Sequence, residues 1–424
     1  MTLLINEGST ETSISSEELD SHMQSFIKNY QNKLNKILII PPDFTRFHSK
    51  AGDITVALYK QLKDISTIDI LPALGTHVKM SAQELDKMFP GIPHLHFKEH
   101  NWRNDIEDIG VIPAEFINKI TEGKLNYSIQ AQLNKIMVHG KYDLIISIGQ
   151  VVPHEVVGMA NHNKNIFVGI GGKDIINKSH FIGAVHGMEQ IMGKENSPVR
   201  QIFDYAEEHF AKQFPITYIQ TVLNKNEKGE LTLRGLYAGE GKEPFSTACK
   251  LAVKTNLDLI DKPFNKVVVY LDPSEFKSTW LGNKAIYRTR MAMADGGDLI
   301  ILAPGLKEFG EDKEIDRLIR KYGYFGTPST LKACDENDEL RNNYSAAAHL
   351  IHGSSEDRFN ITYCPGHLTK EEIESVNFQY ADLNETQKKY NPKELKDGFN
   401  IVEDEEIFYI SNPALGLWAL KEKF

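Results

Sequence analysis

Short apolar runs rich in Ile, Val and Leu alternate along this chain with stretches in which apolar positions recur every three or four residues. Runs of the first kind predict strands buried on both faces, and the second kind predicts helices packed against them; together they give the α/β class. Strands are expected at Ile37–Ile40, Ile68–Leu71, Leu144–Ile148, Ile166–Ile170, Val267–Leu271, Leu299–Leu302 and Ile407–Ile410. Helices are expected at Ser16–Gln31, Asp53–Leu62, Ser81–Lys87, Pro198–Gln213, Lys284–Ala294, Asp312–Tyr322 and Lys370–Val376, with Asp53 and Ser81 at N-cap positions. The polar, turn-rich stretch Asn224–Lys242 reads as a hairpin or excursion. A boundary near Leu257–Pro263 divides the chain into two α/β domains, 1–260 and 261–404, with a return of the tail 405–424 to the first domain left open.

A length of 424 residues agrees with two domains, because single cores stop growing at about 250–300 residues. Hydrophobic residues make up 41% and charged residues 25%, the balance of a water-soluble chain, and no window approaches the length of a membrane span. The N-terminus lacks the basic and apolar regions of a secretory signal. Three widely spaced cysteines, Cys249, Cys334 and Cys364, disfavour a disulfide framework and a cysteine-rich zinc site, and fit a cytoplasmic protein. A net charge of −10 disfavours non-specific nucleic-acid binding.

The candidate chemistry sits in loops after expected strands, where open α/β sheets place their ligands. Pro41–Gly52 offers Asp43, Thr45 and Arg46 before a helix, a set suited to a phosphate or carboxylate. Leu71–Ser81 places Gly75-Thr76-His77 at a strand end. Gly149–Gly187 holds His154, His162, His180 and His186 with Lys164, on a backbone broken by glycines, and histidine is both a proton carrier near neutrality and the commonest metal ligand. Its spacings match no standard zinc motif. In the second domain Trp280, Lys284 and Arg288 share one helical face by their four-residue spacing, and Lys284 suits a carboxylate. Each feature also has a plainer reading: a turn, a cap, a core histidine or a solvated cation.

Taken in order, Asp43-x-Thr45-Arg46, Gly75-Thr76-His77, Gly149-x-x-x-Pro153-His154, Lys164, His180, Lys284 and Gly296-Gly297 resemble the nickel-pincer nucleotide-dependent lactate racemase family. The resemblance implies a two-domain α/β enzyme with an interdomain active-site cleft. It implies a racemase or epimerase that inverts C2 of a 2-hydroxy acid by proton-coupled hydride transfer through a 2-keto acid. The implied cofactor is a pyridinium-3,5-bisthiocarboxylic acid mononucleotide carrying nickel, supplied by separate cofactor-maturation enzymes. By residue, the resemblance makes His180 the nickel ligand, Lys164, Asp43 and Thr45 cofactor-binding, His77 and His154 the acid–base pair, and Arg46, Lys284 and Trp280 substrate-binding. Neither nucleic acid nor membrane is implied as a partner.

The chain departs from the family pattern in two places. Ala160-Asn161-His162-Asn163 replaces a Ser-Gly-Gly-rich run before the lysine, and Trp280-Leu281 replaces Tyr-Gln before the carboxylate-binding lysine. A longer 2-hydroxy acid than lactate therefore stays open. So do two other readings: another metal-dependent hydrolase or hydratase on the same scaffold, and a non-catalytic binder of a nucleotide-like ligand.

Overall fold

The computed structural model describes residues 3–30, 34–225, 230–413 and 416–423. The chain divides into two compact units, one of residues 1–182 and 190–256, the other of residues 183–189 and 257–424.

The first unit is built on a six-stranded mixed sheet. Its order is Leu3–Gly8, Leu231–Gly239, Ile216–Lys225, Leu144–Gln150, Lys36–Ile40, Thr67–Ile70. The last four strands run parallel, and the first two are antiparallel additions to one side. Lys36–Ile40 lies between a strand that follows it directly and one that comes a hundred residues later, so the order reverses there. The carboxyl ends of Lys36–Ile40 and Leu144–Gln150 flank this switch point, the usual crevice for a ligand. Ile37, Ile39, Ile146 and Ile148 are wholly buried, which explains their uninterrupted apolar runs. Helix Ser16–Lys28 starts at a Ser15/Glu18 capping box and buries Leu19, Met23, Phe26 and Ile27.

The second unit has a sheet of order Gln379–Tyr380, Asn360–Pro365, Met293–Ala303, Phe264–Tyr270, Glu405–Ile410, Gly398–Val402, parallel except for its last pair. Glu405–Ile410 pairs with Val267–Val269, and Trp418–Leu420 pairs with Asp258–Ile260, both inside the second unit. The apolar Ile407 and Ile410 find a parallel neighbour there. The three cysteines are free and buried. Among the described residues no helix is long and apolar enough to cross a membrane.

Four local expectations need correction. Ile166–Ile170 is not a strand: Asn163–Phe167 is a short helix, and its Ile166 and Phe167 side chains are buried. A five-residue apolar run is compatible with either, and here tertiary packing decided. Asp53 lies in the first turn of Ala51–Leu62 rather than at its cap, which is Lys50 at φ +64°. Pro198–Gln213 is α-helical only to Ala206 and then widens into a π turn, Glu207–Ala211. Of Lys284–Ala294 only Lys284–Thr289 is helical; a separate short helix, Thr279–Gly282, precedes it and Met293 already opens a strand, so Trp280 does not share a continuous helix with Lys284 and Arg288. The hairpin at 224–242 is present as Ile216–Lys225 and Leu231–Gly239, with residues 226–229 outside the described set, as is Gln31 at the end of the first expected helix.

Candidate active site

Three parallel strands of the first unit aim loops at one end of its sheet. Lys36–Ile40 leads into the turn Phe44–Ser49, which carries Thr45 and Arg46; Asp43 immediately precedes it. Thr67–Ile70 leads to His77, and Leu144–Gln150 leads to Pro153-His154. The short helix bearing Lys164 is tied to the same end by Asn165, whose Nδ2 donates to the Ile40 carbonyl at 3.0 Å and to Ser147 Oγ at 3.1 Å. The N–H of Gly75 donates to the Gly169 carbonyl at 2.8 Å, which fastens the His77 loop to the segment after that helix.

Asp43 is 5% exposed, while the His77 side chain is 56% exposed. His77 Nδ1 lies 2.7 Å from Asp43 Oδ2, and Thr45 Oγ1 donates to Asp43 Oδ1 at 2.5 Å. Burial works to raise the Asp43 carboxyl, but the bonds from His77 and Thr45 outweigh it and hold it below the usual range. The Asp43 hydrogen bond raises His77 above its ordinary value, against burial and the charges of Lys164 and Arg46. Nδ1–H of His77 is thus committed to Asp43, and Nε2 is left to exchange a proton. Asp43, expected to bind the cofactor, also orients His77.

His154 has the opposite environment. Burial pushes it well below the ordinary value, helped by Lys164, Arg46 and His180, with only Glu155 opposing. Its Nδ1 accepts the Val156 N–H at 3.1 Å, so the neutral ring carries its proton on Nε2. Glu155 Oε2 stands 3.9 Å from the same Nδ1. Two imidazoles with proton affinities driven apart are the pattern of an assigned acid and base.

Burial lowers Lys164 to about 8, with Arg46 and Arg200 adding to the effect and Glu155 and Asp43 opposing it. Burial also lowers His180 to about 4, so its ring is neutral at neutral pH. His180 Nδ1 donates to the Ile176 carbonyl one helical turn back at 2.6 Å, which leaves the Nε2 lone pair outward. A backbone carbonyl on the far nitrogen is the standard support of a metal-ligating histidine, and it also aims the ring. His180 therefore fits a metal ligand. Asn177-Lys178-Ser179 before it lies within helix Lys173–His186 rather than at a cap. Among the described residues no group of three or more His, Cys, Asp or Glu could hold a metal ion, so a metal on His180 would take its other ligands from a bound group.

The charge of the exposed Arg46 acts on His77, His154 and Lys164 alike. Lys284 and Trp280 belong to the second unit. There Lys284 Nζ stands 5.8 Å from the Phe276 ring centre, and Trp280 packs on His349 with centroids 4.4 Å apart. His162 is 1% exposed and packed on Tyr218 and Phe245, away from solvent. Sequence reasoning missed Glu155, the carboxylate whose field reaches His154, Lys164 and His180 together; its place directly after Pro153-His154 was the available signal.

Comparisons with known proteins point to one group of relatives. Residues 4–193 match the family model described as the lactate racemase N-terminal domain. The chain is 26% identical over 284 residues to a lactate racemase from Thermoanaerobacterium thermosaccharolyticum. That match covers 63% of this chain and 59% of the relative, so the chain spans about three-fifths of the curated relative's length. A crystal structure of a Thermotoga maritima protein superposes with a TM-score of 0.76 at 25% identity, covering 96% of this chain and 98% of the other. The lactate racemase apoprotein from T. thermosaccharolyticum shares the fold with a TM-score of 0.69 at 18% identity, covering 98% and 94%. Residues 4–193, which carry Asp43, His77, His154, Lys164 and His180, are thus similar to the lactate racemase N-terminal domain.

Proposed function

We propose that the protein is a racemase or epimerase that inverts C2 of a 2-hydroxy acid, with a nickel-pincer nucleotide as resident cofactor. The observation that carries the reading is the pair His77 and His154, perturbed in opposite directions beside Lys164, with His180 presenting a free Nε2. Arg46 is the first unit's contact for the substrate carboxylate, and Lys284 and Trp280 are the second unit's substrate-binding residues. His77 Nε2 takes the hydroxyl proton from one enantiomer, and Asp43 stabilises the imidazolium that forms. For the other enantiomer His154 Nε2 takes it, once Nδ1–H is offered to Glu155. Lys164, amine-rich for a lysine, and Thr45 hold the cofactor, and His180 Nε2 holds its nickel. When bound, the cofactor supplies the acceptor for the C2 hydride, chemistry that no side chain here can perform. Fixing the carboxylate decides which face of C2 meets that acceptor.

The test is co-expression with cofactor-maturation enzymes, nickel analysis, and a panel of 2-hydroxy acids followed by chiral chromatography. Bound nickel and inversion with the C2 hydrogen retained are expected. Cofactor-loaded protein that leaves the whole panel unchanged overturns the reading. Activity restored to cofactor-free protein by a plain divalent metal would favour a hydrolase or hydratase instead.

Asp43→Asn supplies a check within this scheme. Removing the carboxylate removes the largest cause that raises His77, so the ring's proton affinity falls. The basic form then persists to lower pH, and the acid limb of the kcat profile moves downward. The hydrogen bond to a charged group is worth about 1.5–3 kcal/mol, so kcat should fall about 10- to 100-fold. A pH–rate profile that keeps its acid limb in place would detach Asp43 from the chemistry.

A further inference from the structure

The segment that delivers Lys164 holds a backbone conformation that ordinary side chains avoid. Asn161 has φ +68°, and His162 has φ +57° with ψ −136°. Such conformations persist only where the surroundings over-determine them, and they gather at working sites. Two glycines make room for the loop: a Cβ on Gly158 would strike the carbonyls of Ile191 and Lys194, and one on Gly149 would press on the Asn161 amide.

One buried guanidinium fixes what the glycines allow. Arg200, from helix Pro198–Ala206, has no solvent exposure. Its Nη2 donates to the carbonyls of Met159 at 2.7 Å and Asn161 at 3.2 Å; its Nη1 donates to the Asn161 carbonyl at 3.2 Å and to Asn163 Oδ1. Asn163, the residue before Lys164, passes the connection on. Its Nδ2 donates to Asp204 at 2.7 Å and to Glu207 at 2.9 Å, and Glu207 accepts the Tyr218 hydroxyl at 2.7 Å. Asn161 Nδ2 donates to Gln220 Oε1 at 2.8 Å. Between the two asparagines the His162 ring has no hydrogen-bond partner on either nitrogen and packs on Tyr218 and Phe245, the latter also lying 4.3 Å from the guanidinium carbon of Arg200.

A buried charge is a poor way to stabilise a core, since well-packed apolar residues usually serve as well or better. Here the Nη1 and Nη2 donors are spent on the acceptors of a single strained loop, while the buried Nε has no hydrogen-bond partner. We propose that Arg200, acting through Asn163, is a positioning residue that fixes the loop 158–163 and thereby sets where the Lys164 amine stands. The planar fork is what the arrangement needs: a lysine has a single point of donation and cannot span the same acceptors. The proposal deepens the functional reading, because it rests on Lys164 being a working residue of that site.

The test uses the full chain without cofactor. A small N-hydroxysuccinimide ester acylates lysines, and peptide mass spectrometry gives the Lys164 rate relative to exposed Lys332. Arg200→Lys keeps the charge and loses the fork; Asn163→Ser keeps Arg200 and breaks its connection to the lysine. Both variants are expected to fold, by circular dichroism and thermal unfolding, with the rate ratio changed at least about fivefold, because nucleophilic reactivity follows local environment and access. Folded variants whose ratios stay within about twofold of wild type overturn the proposal. So does failure of both to fold, which would make Arg200 a support of the core. The readout needs neither cofactor nor substrate. A chain inactive on every 2-hydroxy acid would therefore sink the racemase reading and leave the clamp standing.

Discussion

Replacing His77 by alanine is expected to lower the rate of inversion by about 10²–10⁴-fold, the usual contribution of a positioned acid or base, while bound nickel stays near one per chain. The two effects separate because His77 is half exposed and lies on a loop, whereas the proposed nickel ligand sits on a different helix. A stability cost is also expected. Asp43, 5% exposed, loses its histidine partner and keeps Thr45, and an under-satisfied buried acceptor costs about 1–3 kcal/mol. The double variant His77→Ala/Asp43→Asn should recover part of that stability and none of the activity. His154→Ala should stop inversion to a similar degree without this cost, since His154 accepts only a neighbouring backbone N–H. Chiral chromatography, thermal unfolding and nickel analysis on one preparation check all three statements. Near-normal inversion in either histidine variant would end the two-base scheme.

The contrast between these histidines marks how far the sequence could be read. That His77, His154, Lys164 and His180 were candidates was legible, because titratable residues beyond buried strands have few structural reasons to be there. The parallel strands themselves were legible as unbroken Ile, Val and Leu runs, such as Lys36–Ile40. The partner choices were not. Asp43 and His77 are 34 residues apart, and only the pairing of Lys36–Ile40 with Thr67–Ile70 brings their loops together. Ile166–Ile170 misled for the complementary reason: a short apolar run reports burial, not backbone geometry. Arg200 was hidden by expectation. An arginine on a helix as amphipathic as Pro198–Ala206 reads as a surface residue, and its burial is set by carbonyls some 40 residues away. The strand Leu3–Gly8 passed unnoticed, and Leu231–Gly239 was read only as part of a polar hairpin or excursion because Gly235 and Arg234 interrupt it, where its register also shifts.

His180→Ala should have the largest effect on composition: the nickel-to-protein ratio of the co-expressed protein should fall below about one-tenth of wild type, with inversion abolished. The physical grounds are specific to this ring. A ligand must be unprotonated to bind a metal, and His180, lowered by burial to about 4, meets that condition across the neutral range. Its Nδ1–H bond to the Ile176 carbonyl removes both tautomer choice and ring rotation before any metal arrives. Removing the ring costs the helix little, because the bond lost is made within one turn of Lys173–His186 and alanine is the better helix former. Near-native thermal unfolding of the cofactor-free variant is therefore expected beside the lost nickel. His180→Gln sharpens the comparison: it keeps a polar side chain of similar reach but offers no imidazole nitrogen, which suits nickel better than an amide does. If either variant retains stoichiometric nickel, the metal is held elsewhere and His180 is a buried helical histidine with its carbonyl partner.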